Sequence, residues 1–299
     1  MSRKIMIGSR GSKLALAQSE YVKKLLQEKY DYDFEIKVIT TSGDKDLVSN
    51  WENSDKSLKS FFVKEIEQEL LEGKIDIAVH SMKDVPSENP KGLICGAVPK
   101  REDARDVLIT RENILFANLK NGAVIGTSSM RRNMNLKNVR KDLNIKHLRG
   151  NIHTRIQKLN DGEYDGIILA AAGLKRVNLQ NLITEYLNEN IFLPAPAQGA
   201  LYVQCRENDE FIKDMLKSIN DEKTEKVVFI EREFSKIFDG GCHTPMGCLA
   251  KIKDEKIIFR GILYKNDKAY TVFLEEDVKN IDKIASKAAD IIKEKIDEK

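Results

Sequence analysis

Ile7-Gly8-Ser9-Arg10-Gly11-Ser12 closes a short apolar strand, Ile5-Met6-Ile7, and leads into a helix that Ser12 opens. Ile125-Gly126-Thr127-Ser128-Ser129 makes the same transition after Ala123-Val124, at an offset of 118 (position 7 against 125). A second pair follows in the same order. Gly73-Lys74-Ile75-Asp76-Ile77-Ala78-Val79 and Gly162-Glu163-Tyr164-Asp165-Gly166-Ile167-Ile168 each leave a helix for a buried strand, at an offset of 89 (position 73 against 162). Strand, helix and returning strand, met twice, predict two similar α/β lobes. The smaller second offset reflects an insertion in the first copy: residues 42–60 are rich in Ser, Asn, Asp and Lys, carry Trp51, and show neither helical nor strand period. A loop that long inside a compact domain is a lid, a binding loop or disorder, and a mobile lid is the expectation here.

Outward from the repeats, Leu14, Leu16, Val22, Leu25 and Leu26 fall near helical spacing, residues 34–39 alternate as a strand, and residues 61–71 return to helix. Residues 75–79 and 107–109 read as buried strands. Pro194-Ala195-Pro196-Ala197 is a hinge candidate where the chain recrosses between lobes, and Leu201-Tyr202-Val203 adds a strand to the first lobe. From Thr224 the pattern changes to a helix ending near Phe238, a Gly-Gly turn, three alternating strands (247–251, 256–261, 270–274) and a final helix from Ile281, a small α+β domain. The expected division is 1–99 with 197–219, then 100–196, then 220–299.

The 299 residues suffice for two or three domains, each with its own core, and 41% hydrophobic with 32% charged residues excludes a collagenous or disordered chain. No apolar run approaches the roughly 18 residues of a membrane span, and the N-terminus turns polar too early for a secretory segment, so the cytosol is expected. Fifty basic against 47 acidic residues leave +3, no global field for nucleic acid or membrane. Anion selectivity must therefore be local. Four cysteines in a cytosolic chain are read as thiols.

Ser9, Arg10 and Ser12, with Thr127, Ser128 and Ser129 in the second copy, lie where helix N-termini would present amide N–H groups, either to bind an anion or simply to be capped. Arginine is the scarcer base, 14 against 36 lysines, yet Arg131, Arg132, Arg149, Arg155 and Arg176 crowd one half-lobe. Arg131 and Arg132 fall in a first helical turn, where a cation opposes the helix dipole. That points to a bound ligand with several carboxylates, the alternative being a solvated basic face. In Val79-His80-Ser81-Met82-Lys83-Asp84-Val85-Pro86 a buried strand ends in polar residues. Asp84 could stabilise a developing cation or merely bond its own turn, and His80 could be a satisfied core histidine. Gly240-Gly241-Cys242-His243-Thr244-Pro245 sets a thiol on a flexible turn, a nucleophile or attachment point. Cys95 and Cys248 read as core thiols, Cys205 is undecided, and zinc binding by Cys242, His243 and Cys248 fails on spacing. No phosphate-loop or dinucleotide fingerprint is present.

In their order and spacing, several runs resemble the porphobilinogen deaminase family along nearly the whole chain. They are residues 8–12 with Leu14-Ala15-Leu16, Phe62-Val63-Lys64-Glu65, residues 76–86, Arg101-Glu102-Asp103-Ala104-Arg105-Asp106, residues 125–132, residues 148–151, Ala195-Pro196-Ala197-Gln198-Gly199-Ala200 and Gly240-Gly241-Cys242. One departure stands out: Ser57-Leu58-Lys59-Ser60 replaces a glycine-rich lid segment, keeping Lys59 as the basic residue there. The resemblance implies three domains, the first two like periplasmic ligand-binding proteins, in a monomer with no metal. It implies a dipyrromethane cofactor, made from the substrate and joined by thioether to Cys242. It implies condensation of four porphobilinogen molecules with loss of ammonia and hydrolytic release of hydroxymethylbilane, a transferase reaction of tetrapyrrole and heme biosynthesis.

Under that resemblance Asp84 is the catalytic carboxylate. Ser81, Lys83, Thr127, Ser129, Arg131, Arg132, Arg155 and Arg176 hold the cofactor, while Arg10, Ser12 and Arg149 position the incoming unit. Each pyrrole unit carries two carboxylates, so cofactor plus four additions present twelve negative charges, and the growing chain must shift or the domains must open. A two-lobed protein that only captures an anion shares the lobes and binding residues but has no use for Cys242 or a third domain. An anion-sensing regulator would want a DNA-binding helix pair, which the sequence does not show.

Overall fold

The computed structural model describes residues 3–41, 63–239 and 244–298. The chain runs β1 (Lys4–Arg10), α1 (Lys13–Gln27), β2 (Asp33–Ile39), α2 (Lys64–Leu71), β3 (Ile77–Ser81) and β4 (Leu93–Ala97). It continues through β5 (Asp106–Thr110), β6 (Val124–Gly126), α3 (Met130–Val139), β7 (Asn144–Lys146), α4 (Ile152–Asn160), β8 (Gly166–Ala170), α5 (Ala171–Arg176) and β9 (Glu185–Tyr186). It closes with β10 (Leu201–Arg206), α6 (Glu210–Lys217), α7 (Glu222–Ile237), β11 (Met246–Lys253), β12 (Lys256–Lys265), β13 (Lys268–Asp277) and α8 (Ile284–Asp297). Two compact units result, Met1–Arg101 with Ala200–Glu225 and Glu102–Gly199 with Lys226–Lys299.

In the first unit the strand order is β2-β1-β3-β10-β4, parallel across β1, β2 and β3 and antiparallel at β10. Strand alternation sends Ile5, Ile7, Ile77 and Val79 to one face, where Val22 and Leu26 of α1 and Ile212, Met215 and Leu216 of α6 cover them. Ile39 and Ala78 meet Ile66 and Leu70 of α2 on the other. The buried face of α1 is Ala15, Gln18, Ser19, Val22 and Leu26; Leu14, Leu16 and Leu25 are only half-buried. The added strand expected at residues 201–203 is β10, paired with β3 and β4.

In the second unit the order is β7-β6-β8-β5-β9, again three parallel strands flanked by two antiparallel pairings. The sequence repeat is a repeat of register. β1 meets β3 at Ile7 with Ile77 and Gly8 with Ala78, and β6 meets β8 at Ile125 with Gly166 and Gly126 with Ile167. Both rungs reproduce the offsets of 118 and 89. The same acidic residue closes each crossover: Met6 N–H donates to Asp76 at 2.9 Å, and Val124 N–H donates to Asp165 at 2.7 Å. The expected strand from residue 5 runs farther than its apolar core, through Ser9 and Arg10, which pair with Val38 and Ile39 of β2. Ser9 and Arg10 are therefore strand residues, and in this copy only Ser12 caps the helix, accepting from Ala15 N–H at 3.2 Å.

The same unit carries the three-stranded antiparallel meander β11-β12-β13, longer in every strand than alternation alone indicated. Leu249, Ile262 and Tyr264 of this sheet pack on Leu193, Ala104 and Met134. The turn leading out of the α/β part holds Gly199 at φ +89, with room for no side chain: a Cβ there would stand 2.5 Å from the Glu102 carbonyl oxygen. Gly199→Ala should therefore lower stability by about 2–4 kcal/mol in urea unfolding; an unchanged midpoint would contradict that close approach.

Candidate active site

In the first unit the polar residues gather at the C-terminal ends of β1 and β3. Ser81 accepts a hydrogen bond from Gln18 Nε2 at 2.8 Å, which ties the strand end to α1. Met82 N–H donates to Ala200 O at 3.0 Å, and Val85 N–H donates to Met82 O at 3.2 Å. Met82 and Val85 are buried, so the 3₁₀ turn Met82–Asp84 is fixed on both sides. Asp84 itself is exposed, and its carboxylate has no hydrogen-bond or ion-pair partner among the described residues. The turn-forming role is not what this side chain does. A rigid backbone presenting an uncommitted anion is what cation stabilisation requires. Lys83 is half-buried beside it in sequence, and Arg10 is half-buried at the end of β1.

Beneath this end lies a buried relay. Gln204 Nε2 donates to Glu67 Oε1 at 3.1 Å, so its Oε1 is left to accept from His80 Nε2 at 3.2 Å. Burial, with the Arg10 charge adding to it, pushes His80 down to about 4, and burial raises Glu67 above its ordinary value. His80 is therefore a neutral, bonded core histidine.

In the second unit the decisive residue is one to which sequence reasoning gave no role. Asp106 opens β5 and is 1% exposed. Arg131 Nη1 donates to its Oδ2 at 2.6 Å; Arg132 donates to its Oδ1 from Nη2 at 2.8 Å and from Nε at 3.0 Å. Gln198 Nε2 adds a bond to Oδ1 at 2.9 Å. Each guanidinium also reaches one backbone oxygen, Arg131 to Leu193 O at 2.7 Å and Arg132 to Ile168 O at 3.1 Å. Burial alone would raise the Asp106 pKa; the two guanidinium charges overcome it and hold the carboxyl far below the usual range. The first anion these arginines grip is thus the chain's own. An acidic residue heading the apolar run Val107-Leu108-Ile109 was the signal, since a carboxylate entering a buried strand needs cations.

One carboxylate does not balance the two guanidiniums on it. Arg155, on α4, donates Nε to Gly150 O at 2.7 Å, and burial together with the Arg132 charge lowers its pKa to about 10, still protonated at neutral pH. Arg149 lies exposed in the loop before α4, beyond the end of β7, and makes no hydrogen bond or ion pair among the described residues. Arg176 donates Nη2 to Gly199 O at 2.6 Å. Ser129 caps α3, accepting from Arg132 N–H at 3.4 Å; Thr127 Oγ1 accepts from Ser129 N–H at 3.2 Å; Ser128 exchanges bonds with the Leu148 backbone. The hydroxyls shape the helix start, and around Asp106 two guanidiniums meet one carboxylate, with Arg155 near enough to feel the Arg132 charge.

The family model described as "Porphobilinogen deaminase, dipyromethane cofactor binding domain" matches residues 5–214, and that described as "Porphobilinogen deaminase, C-terminal domain" matches residues 226–296. The chain is 62% identical over 297 residues to the porphobilinogen deaminase of Fusobacterium nucleatum, covering 99% of each. The chain belongs to the porphobilinogen deaminase family. To the Geobacillus sp. porphobilinogen deaminase it is 47% identical, covering 89% of this chain and 86% of that one, and to that of Clostridioides difficile 47%, covering 86% of each. The periplasmic VFT2 domain of Bordetella pertussis BvgS aligns at 15% identity over 72% of this chain and 85% of that one, with a TM-score of 0.42, too remote to build on.

For a family whose first domain binds dipyrromethane, a pyrrole pair bearing carboxylates, the surplus of positive charge around Asp106 is the fitting chemistry. Cys242 and Lys59 lie outside the described residues, as does the expected lid at 42–60. Among the other thiols Cys205 and Cys248 are buried, Cys205 pushed up to about 11 by burial, whereas Cys95, expected in the core, is half-buried. Among the described residues no cluster could hold a metal and no helix is long and apolar enough to cross a membrane.

Asp106→Asn should cost about 3–5 kcal/mol, because it leaves two buried guanidiniums without their anion. Since the Asp106 pKa is depressed, its contribution is complete above roughly pH 4 and lost as pH falls below that. The stability gap between wild type and variant should accordingly close in acid, as measured by urea titrations across pH; a gap independent of pH would contradict the ion pair.

Proposed function

We propose that this transferase joins four porphobilinogen molecules head to tail, releasing ammonia at each addition, on a dipyrromethane carried by Cys242, and then frees hydroxymethylbilane by hydrolysis. The observation that carries this reading is the family match along both parts of the chain, met by a fixed turn that presents an Asp84 unpaired among the described residues. The bound cofactor supplies the nucleophilic pyrrole carbon to which the first substrate is joined.

Everything else falls to the chain. Arg131, Arg132, Arg155 and Arg176, with Ser81, Lys83, Thr127 and Ser129, hold cofactor carboxylates; Arg10, Ser12 and Arg149 position the incoming porphobilinogen; Lys59 serves the lid. Guanidinium suits this work because its fork meets a carboxylate with two parallel N–H donors, each charged hydrogen bond contributing about 1.5–3 kcal/mol. Arg149, exposed and without a partner among the described residues, can meet a carboxylate that arrives from solvent. As the aminomethyl nitrogen leaves the substrate, positive charge builds on its pyrrole, and Asp84 accepts the pyrrole N–H and stabilises that charge. A monomer in the reducing cytosol suits a cysteine that must stay a thiol until it forms the thioether. The capture-only alternative is not favoured, because relatives named as deaminases match the chain through its C-terminal part as well.

Asp84→Asn should lower kcat by about a hundredfold or more while leaving thermal unfolding unchanged, since the carboxylate bonds nothing among the described residues. Near-normal turnover would refute its role. In a denaturing mass spectrum the wild-type chain should exceed its sequence mass by two pyrrole units, and Cys242→Ser should not. An adduct persisting in that variant would place the attachment elsewhere.

A further inference from the structure

Glu231 lies in the middle of α7, is fully buried, and is used by none of the chemistry above. Its two carboxylate oxygens serve two different segments. Oε2 accepts the Ala197 N–H at 2.7 Å, and Oε1 accepts the Ala250 N–H of β11 at 2.8 Å. Ala197 sits at φ +58, a left-handed conformation that a residue with a Cβ adopts only under constraint, so the turn at 194–198 needs an external hold.

That hold is reinforced from β11. Cys248 N–H donates to Pro194 O at 3.0 Å. Gly247 permits the approach, for a Cβ there would stand 2.7 Å from Leu193 O and 2.9 Å from Pro194 O. The segment 193–199 in turn fixes the cationic site: Leu193 O receives Arg131 at 2.7 Å, Gly199 O receives Arg176 at 2.6 Å, and the Gln198 amide reaches Asp106 at 2.9 Å. Within this unit the segment 194–197 is bonded at Ala197 to Glu231, just before the chain passes to the other unit at Ala200.

We propose that Glu231 is the positioning residue of the cofactor site, locking the 193–199 turn that sets Arg131, Arg176 and Asp106 in place. This deepens the proposed function and rests on it. Glu231→Gln keeps size but faces one of the two N–H donors with an amide NH₂, and Glu231→Asp keeps the charge but reaches only one donor.

The test follows adduct formation on the full-length chain by denaturing mass spectrometry after porphobilinogen is added to protein isolated without it, with thermal unfolding measured alongside. The expected result is a Glu231→Gln chain that melts within about 5 °C of wild type yet acquires the adduct at least tenfold more slowly, with Glu231→Asp intermediate. Loading at the wild-type rate by folded variants would overturn the proposal. So would variants that fail to fold, or whose folded fraction loads normally, because Glu231 would then be a stability element alone. A wild-type chain that never gains the adduct would instead bring down the proposed function, and this inference with it.

Discussion

A carboxylate removed from water cannot remain charged without cations, and Asp106 has two guanidiniums closed over it. That constraint organises the second unit. It draws the first turn of α3 onto the start of β5, although cations at a helix N-terminus oppose the dipole; Gln198 adds a further donor to the carboxylate, and the carbonyls of Leu193 and Ile168 each take one guanidinium N–H. A buried pair of this kind is a poor source of net stability. Its use here is geometric: it leaves one positive charge in surplus, with Arg155 adding another, at positions fixed by the fold.

The repeated topology gives each unit a carboxylate at an equivalent strand end, put to opposite use. Asp84 follows β3, the parallel strand that meets β1; Asp106 pairs in register with Ala170, the last residue of β8, the parallel strand that meets β6. Asp84 is exposed and unpaired among the described residues, Asp106 buried and fully engaged. The first stands open to solvent, while the second is spent on holding arginines.

The C-terminal sheet is joined to this arrangement by direct bonds. Tyr264 donates its hydroxyl to Asn135 Oδ1 at 2.7 Å, and Asn135 Nδ2 donates to Leu193 O at 3.3 Å, the carbonyl that also receives Arg131. With Glu231 bonded to Ala197 and Ala250, the segment 193–199 is held from α7, β11 and β12 together, which explains how residues remote in sequence keep a shared geometry.

Much of this was legible in the residues themselves. Two short repeats predicted two lobes, because alternation and crossover length are local properties that a strand-helix-strand unit carries in its own sequence. The family runs around Asp84, Arg131 and Cys242 were likewise contiguous and readable. What the sequence could not show is who neutralises whom. That Arg131 and Arg132 rest on Asp106, 25 and 26 residues away, that Ser9 and Arg10 extend a strand, and that Glu231 holds Ala197 were decided by tertiary structure alone. The reason is physical: the charge and hydrogen-bond balance of a buried group is set by whatever the fold brings within about 3 Å of it, and chain order does not encode that neighbourhood.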